Sequence, residues 1–262
     1  MQPIKPKLGT TYRSYGTSDG YLRIELIQRG SQTMFWLAII SFFMATVVLL
    51  WQVVAPEQVR ITYLENLQAL QQSNAAALEQ QQGKPLVGII VGHAGHDSGA
   101  VCPDGLTEVE VNTAIGLATA DFLNSQGVRT DLLEEFDSRL TNYDAEALVS
   151  IHADSCTVPG VSGFKVARLS QSLIPEAEDQ LVACLVTEYA KMTGLPEHTY
   201  SITENMTDYH AFREIATFTP GAIIETGFML EDRAMLEYNP DLLARGIASG
   251  ILCFLKSMEP DG

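Results

Sequence analysis

Two of the five histidines and one glutamate stand where chemistry collects in an α/β protein. His93 follows the apolar run LVGIIV (86–91), His152 closes ALVSIH (147–152), and Glu225 closes GAIIE (221–225). Short apolar runs bounded by Gly or Pro read as buried strands, so each of these side chains comes to the end of a strand. Ligands of open α/β sheets bind in the crevice beyond the carboxyl ends of the strands. A single histidine there reads as a satisfied core residue. Two imidazoles and a carboxylate at three strand ends point instead to a metal-binding crevice. His93 lies in GHAGHDSGA (92–100), where Gly92, Gly95 and Gly99 allow turns that residues with a Cβ resist. The next acid, Glu108, has two readings on spacing alone: a surface acid that compensates a helix dipole, or a further ligand.

The elements that must position these residues alternate in type. TEVEVNTAIGLATADFLNSQG (107–127) reads as a helix with a Gly stop. Thr107 and Glu110 form a capping box at its start, which leaves Glu108 free to point outward. VRTDLL (128–133) and GFKVARL (163–169) read as strands, and EAEDQLVACLVTEYAKMTG (176–194) as a helix. The last segment, 232–258, is helical, with Pro240 marking a break or a fresh start. Strands alternating with helices predict an α/β domain over 84–262, its mostly parallel sheet flanked by helices.

The charge is unevenly spread. The whole chain carries 16 Lys+Arg against 32 Asp+Glu, a net charge of -16. Such acidity argues against a nucleic-acid binder, which needs a basic face. Residues 1–33 carry +3, residues 34–55 carry no charge, and the remainder carries -19. The uncharged block MFWLAIISFFMATVVLLWQVVA has Trp36 and Trp51 near its ends. Its heart, Met34 to Trp51, would span roughly 27 Å as a helix, close to the thickness of a bilayer core. The basic flank predicts a single-pass transmembrane helix over 34–55, with residues 1–33 cytoplasmic and the acidic bulk outside the cell membrane. An uncleaved anchor fits better than a signal peptide, because 33 residues precede the run and Pro56 follows it. Residues 56–83, rich in Gln, Ala and Leu, predict a helical stalk with only a weak heptad seam.

Four motifs, GHAGHDSGA, GLTEVEVN, VSIHADS and IIETGFM, resemble in order the signatures of the zinc-dependent N-acetylmuramoyl-L-alanine amidases of the Amidase_3 family. The resemblance covers roughly 86–255. It implies that His93, Glu108 and His152 bind Zn2+ and that Glu225 is the catalytic glutamate. It implies, too, a hydrolase that cleaves the amide between N-acetylmuramic acid and L-alanine in cell-wall peptidoglycan. The metal would supply the nucleophilic water and polarise the carbonyl, and Glu225 would act as general base and then acid. Family members are often held inactive by a helix over the metal, so the resemblance also implies a possible activator protein. Where many members carry Thr-Arg after the second strand, this chain has Leu132-Leu133-Glu134-Glu135-Phe136-Asp137.

The remaining candidates are weaker. His96 suits a solvent-facing or supporting role, His210 could line the cleft and bind substrate, and His198 has no assigned part. Cys102 and Cys156 each follow a ligand motif, so they could pair across the rim, stay free, or offer a thiolate. Cys184 and Cys253 lie in apolar helix stretches and read as core. Two other functions compete: a catalytically silent cell-wall tether of the same fold, and a zinc peptidase acting on wall peptides. The tether would be expected to lose a ligand, and the peptidase to show a close His-x-x-Glu pair; neither feature occurs.

Overall fold

The computed structural model describes residues 34–51 and 57–259. The expected cytoplasmic segment 1–33, residues 52–55 of the expected span, residue 56 of the stalk and residues 260–262 lie outside the described residues. The chain divides into two units after Ala76. In the first, α1 (Met34–Trp51) is a continuous apolar helix with a mean hydropathy of 2.3 and no buried share, long enough to cross a membrane. A second helix, α2 (Glu57–Gln82), covers the stretch read as a stalk.

The second unit is built on five strands: β1 (Leu86–Val91), β2 (Arg129–Leu133), β3 (Ala147–Asp154), β4 (Lys165–Ala167) and β5 (Gly221–Phe228). Their order is β2-β1-β3-β5-β4. The first four in that order run parallel, and β4 alone is antiparallel, against β5. Every strand predicted from the sequence is present.

Side chains on successive strand residues point to opposite faces, and this alternation makes two cores. On one face Val87, Ile89, Val149, Ile151, Ala222 and Ile224 pack beneath three long helices. These are α3 (Glu108–Ser125), α4 (Pro175–Thr193) and α7 (Pro240–Ser257). On the other face Ile90, Leu148 and Ile223 pack against Leu133, Leu140, Tyr143, Met206, Tyr209 and Phe212. That second cover is mostly irregular chain, including the one-turn α5 (Glu204–Thr207). Because both faces are covered, the strands read as unbroken apolar runs.

The helix ends follow the sequence. The capping box at Thr107 forms as expected, the Thr107 hydroxyl accepting from the Glu110 N–H and the Glu110 carboxylate accepting from the Thr107 N–H. Gly194 ends α4 in the left-handed conformation. Pro240 starts α7 after the short α6 (Arg233–Tyr238), the break that the proline marked. One expectation is corrected here. Cys184 and Cys253 are not simply core residues: they form a disulfide that clamps α4 to α7. Both cysteines face the same helix–helix seam, which neither segment reveals by itself.

Candidate metal centre

The turn after β1 begins the site. Gly92 stays in line with the strand, donating its N–H to Ile151 O at 3.0 Å. A Cβ on Gly92 would come within 2.5 Å of the His152 ring, so only glycine lets that imidazole lie across the strand end. His93 then takes φ 68, a left-handed conformation uncommon for a residue with a side chain. Strain of this kind gathers at functional sites. Its N–H is held by Glu135 Oε2 at 2.8 Å, which anchors the turn. Gly99, at φ 62, brings the returning loop so close that a Cβ would meet Glu108 Oε2 at 2.6 Å.

Glu108 enters from the first turn of α3. The capping box uses Glu110, and of the two readings of Glu108 the surface acid is excluded. Glu108 is 5% exposed and turns into the crevice. The loop 92–107 carries the start of α3 over the ends of β1 and β3, where the Glu108 carboxylate finds its donors. Its Oε2 lies 3.2 Å from His93 Nε2 and accepts the Ala100 N–H. Its Oε1 lies 3.0 Å from His152 Nδ1 and accepts the Ala153 N–H and the Asn112 side-chain amide. One carboxylate thus joins the two imidazoles, whose ring centroids are 5.0 Å apart.

His93, Glu108 and His152 offer ligand atoms that all lie within 4.8 Å of one another, an arrangement that could hold a metal ion. Two imidazole nitrogens and one carboxylate are a chemically sound donor set for such an ion. The electrostatics agree. Burial pushes the Glu108 carboxyl up, but His152, His93 and the Ala100 N–H together hold it far below the usual carboxylate range. The Glu108 contact raises His93 to about 9, with Asp97 adding to it. Burial opposes charge on His152, yet Glu108 and Glu225 outweigh it and its pKa rises. Three groups that together attract positive charge suit a cation.

Glu225 is in Cα register with His152 across β3 and β5, and with Lys165 across β5 and β4. Its Oε2 is buried without a hydrogen-bond partner. Burial, aided by the nearby charges of Glu108 and Asp154, lifts Glu225 to about 7 against the opposing pull of His152 and Lys165. Lys165 is itself committed elsewhere, donating to Asp154 at 2.5 Å and to Ser201 O at 2.8 Å.

The lesser candidates sort clearly. His96 is at the exposed rim, edge-on to Phe136 with centroids 4.6 Å apart. His210 lies against Glu135 at 3.1 Å and Glu214 at 3.2 Å, and stacks on Phe136. His198 Nδ1 sits 2.8 Å from Ser201 Oγ, away from the three ligand candidates. Cys102 and Cys156 form a disulfide that ties the loop before Glu108 to the one after His152.

Sequence reasoning missed Glu135 and Tyr209. Glu135 is 6% exposed, and its Oε2 lies 3.6 Å from His152 Nε2. Tyr209 donates its hydroxyl to Glu135 Oε1 at 2.8 Å. Burial pushes Glu135 up, but His210, the charge of His152, the His93 N–H and Tyr209 hold it at about 2. The one signal was the pair of acids in the segment that departs from the resembled pattern.

Comparison with known proteins agrees with the geometry. A family model described as N-acetylmuramoyl-L-alanine amidase, Amidase_3, matches residues 87–253, well over half of the chain. The chain belongs to the Amidase_3 family. AmiA of Escherichia coli (strain K12), an N-acetylmuramoyl-L-alanine amidase, is 33% identical over 97 residues. That match covers 34% of this chain and 34% of AmiA, so the chain spans about a third of that relative. Among solved structures, the amidase Ami1 from Mycobacterium smegmatis superposes with TM-score 0.56 at 23% identity, covering 67% of this chain and 98% of that one. AmiC2 of Nostoc punctiforme gives TM-score 0.51 at 26% identity, covering 66% and 98%. The Amidase_3 fold therefore accounts for nearly all of the second unit.

Proposed function

We propose that this chain is a membrane-anchored zinc hydrolase that cleaves the amide between N-acetylmuramic acid and L-alanine in peptidoglycan. The observation that carries this reading is the convergence of His93, Glu108 and His152 within 4.8 Å, beside a buried, unpartnered Glu225 oxygen. His93 Nε2, a Glu108 oxygen and His152 Nδ1 would hold the zinc, since these are the atoms that face one another. When bound, zinc supplies a water of lowered pKa and a Lewis acid for the scissile carbonyl.

The chain's own groups do the rest. Asp97 Oδ1, 2.6 Å from His93 Nδ1, accepts a hydrogen bond from the outer N–H, which keeps the proton there and leaves the inner nitrogen free to bind. Glu225, with a pKa lifted to about 7, can accept a proton from the attacking water and return it to the leaving amine near neutral pH. Asn112 donates to both Gly92 O and Glu108 Oε1, holding the first turn of α3 to the end of β1. The silent-tether reading is disfavoured because all four groups are retained.

Location supports the same reading. The apolar α1 can act as a single-pass anchor, and its basic flank favours a cytoplasmic N-terminus. The two disulfides suit an oxidising exterior, where the wall polymer lies. The test is digestion of purified sacculi by the full-length chain, purified in detergent and loaded with zinc. New free N-terminal L-alanine is expected, and none from Glu225→Ala that retains its zinc. Zinc-loaded parent protein that releases none contradicts the proposal.

A further inference from the structure

We propose that Glu135 is a positioning residue of the metal centre, fixing both histidine ligands from outside and itself held by Tyr209 and His210. The proposal rests on the reading that His93, Glu108 and His152 bind zinc, and goes beyond it.

Each imidazole has an inner nitrogen facing Glu108 and an outer one facing away. A neutral imidazole that gives one nitrogen to a metal carries its proton on the other, and a buried N–H needs an acceptor. His93 meets this need with Asp97, 2.6 Å from Nδ1. His152 has no such bond: its Nε2 is buried and unpartnered. That nitrogen faces Glu135 Oε2 at 3.6 Å, slightly beyond hydrogen-bond length. The same Oε2 accepts the His93 N–H at 2.8 Å, so one oxygen addresses both ligands. Were His152 to hold a metal through Nδ1, its Nε2–H would have Glu135 Oε2 as the facing acceptor.

The other oxygen is fixed. Glu135 Oε1 accepts the Tyr209 hydroxyl at 2.8 Å and lies 3.1 Å from His210 Nε2. Tyr209 in turn accepts from Ser150 Oγ at 3.1 Å, and Ser150 is two residues before His152 on the same face of β3. Phe136 stacks on the His210 ring at 4.3 Å. The carboxylate is therefore tied to β3, to the turn after β1 and to the segment before β5. A carboxylate kept only to satisfy a loop would not need to face the buried nitrogen of His152 as well as bind the His93 N–H. His210 acts through Glu135, whereas Tyr209 also lies edge-on to the His152 ring, with centroids 5.8 Å apart.

The test compares zinc affinity of the full-length parent, Glu135→Gln, His210→Gln and His93→Ala by competition with a chromophoric chelator. Circular dichroism of each metal-free form monitors folding, and the visible spectrum of the cobalt-substituted forms monitors ligand geometry. Outer partners of metal ligands are typically worth 10–100-fold in affinity. Glu135→Gln should lose on the order of 10–100-fold with its metal-free fold intact, and its cobalt spectrum should shift. His210→Gln, which removes one of the two donors to Glu135 Oε1, should lose less, and nothing further when added to Glu135→Gln. Parent-like zinc affinity and an unchanged cobalt spectrum in a folded Glu135→Gln overturn the proposal alone. If Glu135→Gln does not fold, His210→Gln decides in the same way. A parent that binds no more zinc than His93→Ala overturns the metal-centre reading and this proposal together.

Discussion

His152 on β3 lies directly beside Glu225 on β5, with their Cα atoms in register and Thr226 Oγ1 bonded to His152 O at 2.8 Å. Neighbours in register on parallel strands point to the same face, so a candidate ligand and a candidate base share one side of the crevice. Glu225→Gln keeps the shape and removes the basicity. Its zinc content should match the parent's, and its amide hydrolysis should fall by about 10²–10⁴-fold. Steady-state turnover and metal analysis on the same sample check both halves.

The groups around the centre predict opposite pH slopes for stability and for metal binding. His93 is raised from its ordinary value of 6.5 to about 9 by Glu108, so it binds a proton more tightly folded than unfolded. That contribution to metal-free stability is complete below pH 6.5 and is lost as pH rises through 9. Zinc must displace that proton, so zinc affinity should rise over the same interval. Thermal unfolding of the metal-free chain and chelator competition, both from pH 6 to 9, should give curves of opposite sign.

Gly92→Ala tests the packing of the turn. The new Cβ would lie 2.5 Å from the His152 ring, which Glu108 holds in place. We expect weaker zinc binding and lower stability together, read by titration and by Tm. A variant that binds zinc like the parent would show that the ring can yield.

The two disulfides close loops of 54 and 69 residues, and on chain-entropy grounds each stabilises by about 4 kcal/mol. Reduction should lower Tm substantially. Mass spectrometry after alkylation without reductant should find no modified cysteine among the four.

How much of this was written in the linear chain depends on the distance over which each contact acts. His93, His152 and Glu225 were readable because each follows or closes a short apolar run, and the carboxyl ends of parallel strands meet, although β3 continues past His152 to Asp154 and β5 past Glu225 to Phe228. Glu108 could be placed at the start of a helix, but its inward turn depends on how loop 92–107 folds back. Glu135 and Tyr209 are 74 residues apart, and their bond depends on irregular chain covering the second face of the sheet. No periodicity marks such chain. Cys184 is buried and Cys253 half-buried against the core; what the helix patterns withheld was that α4 and α7 pack with those positions opposed. The strand β4 was marked in the sequence, but its antiparallel direction was not, since three residues carry no signal of direction.

The central claim is the bond that is cut, and the most direct measurement is mass spectrometry of peptidoglycan after digestion by the zinc-loaded full-length chain. Cleavage at the amide should yield intact stem peptides beginning with free L-alanine, and glycan strands whose muramic acid ends in a free lactyl carboxylate. Stem peptides cut internally but still attached to the glycan, or an unaltered polymer, would contradict the account.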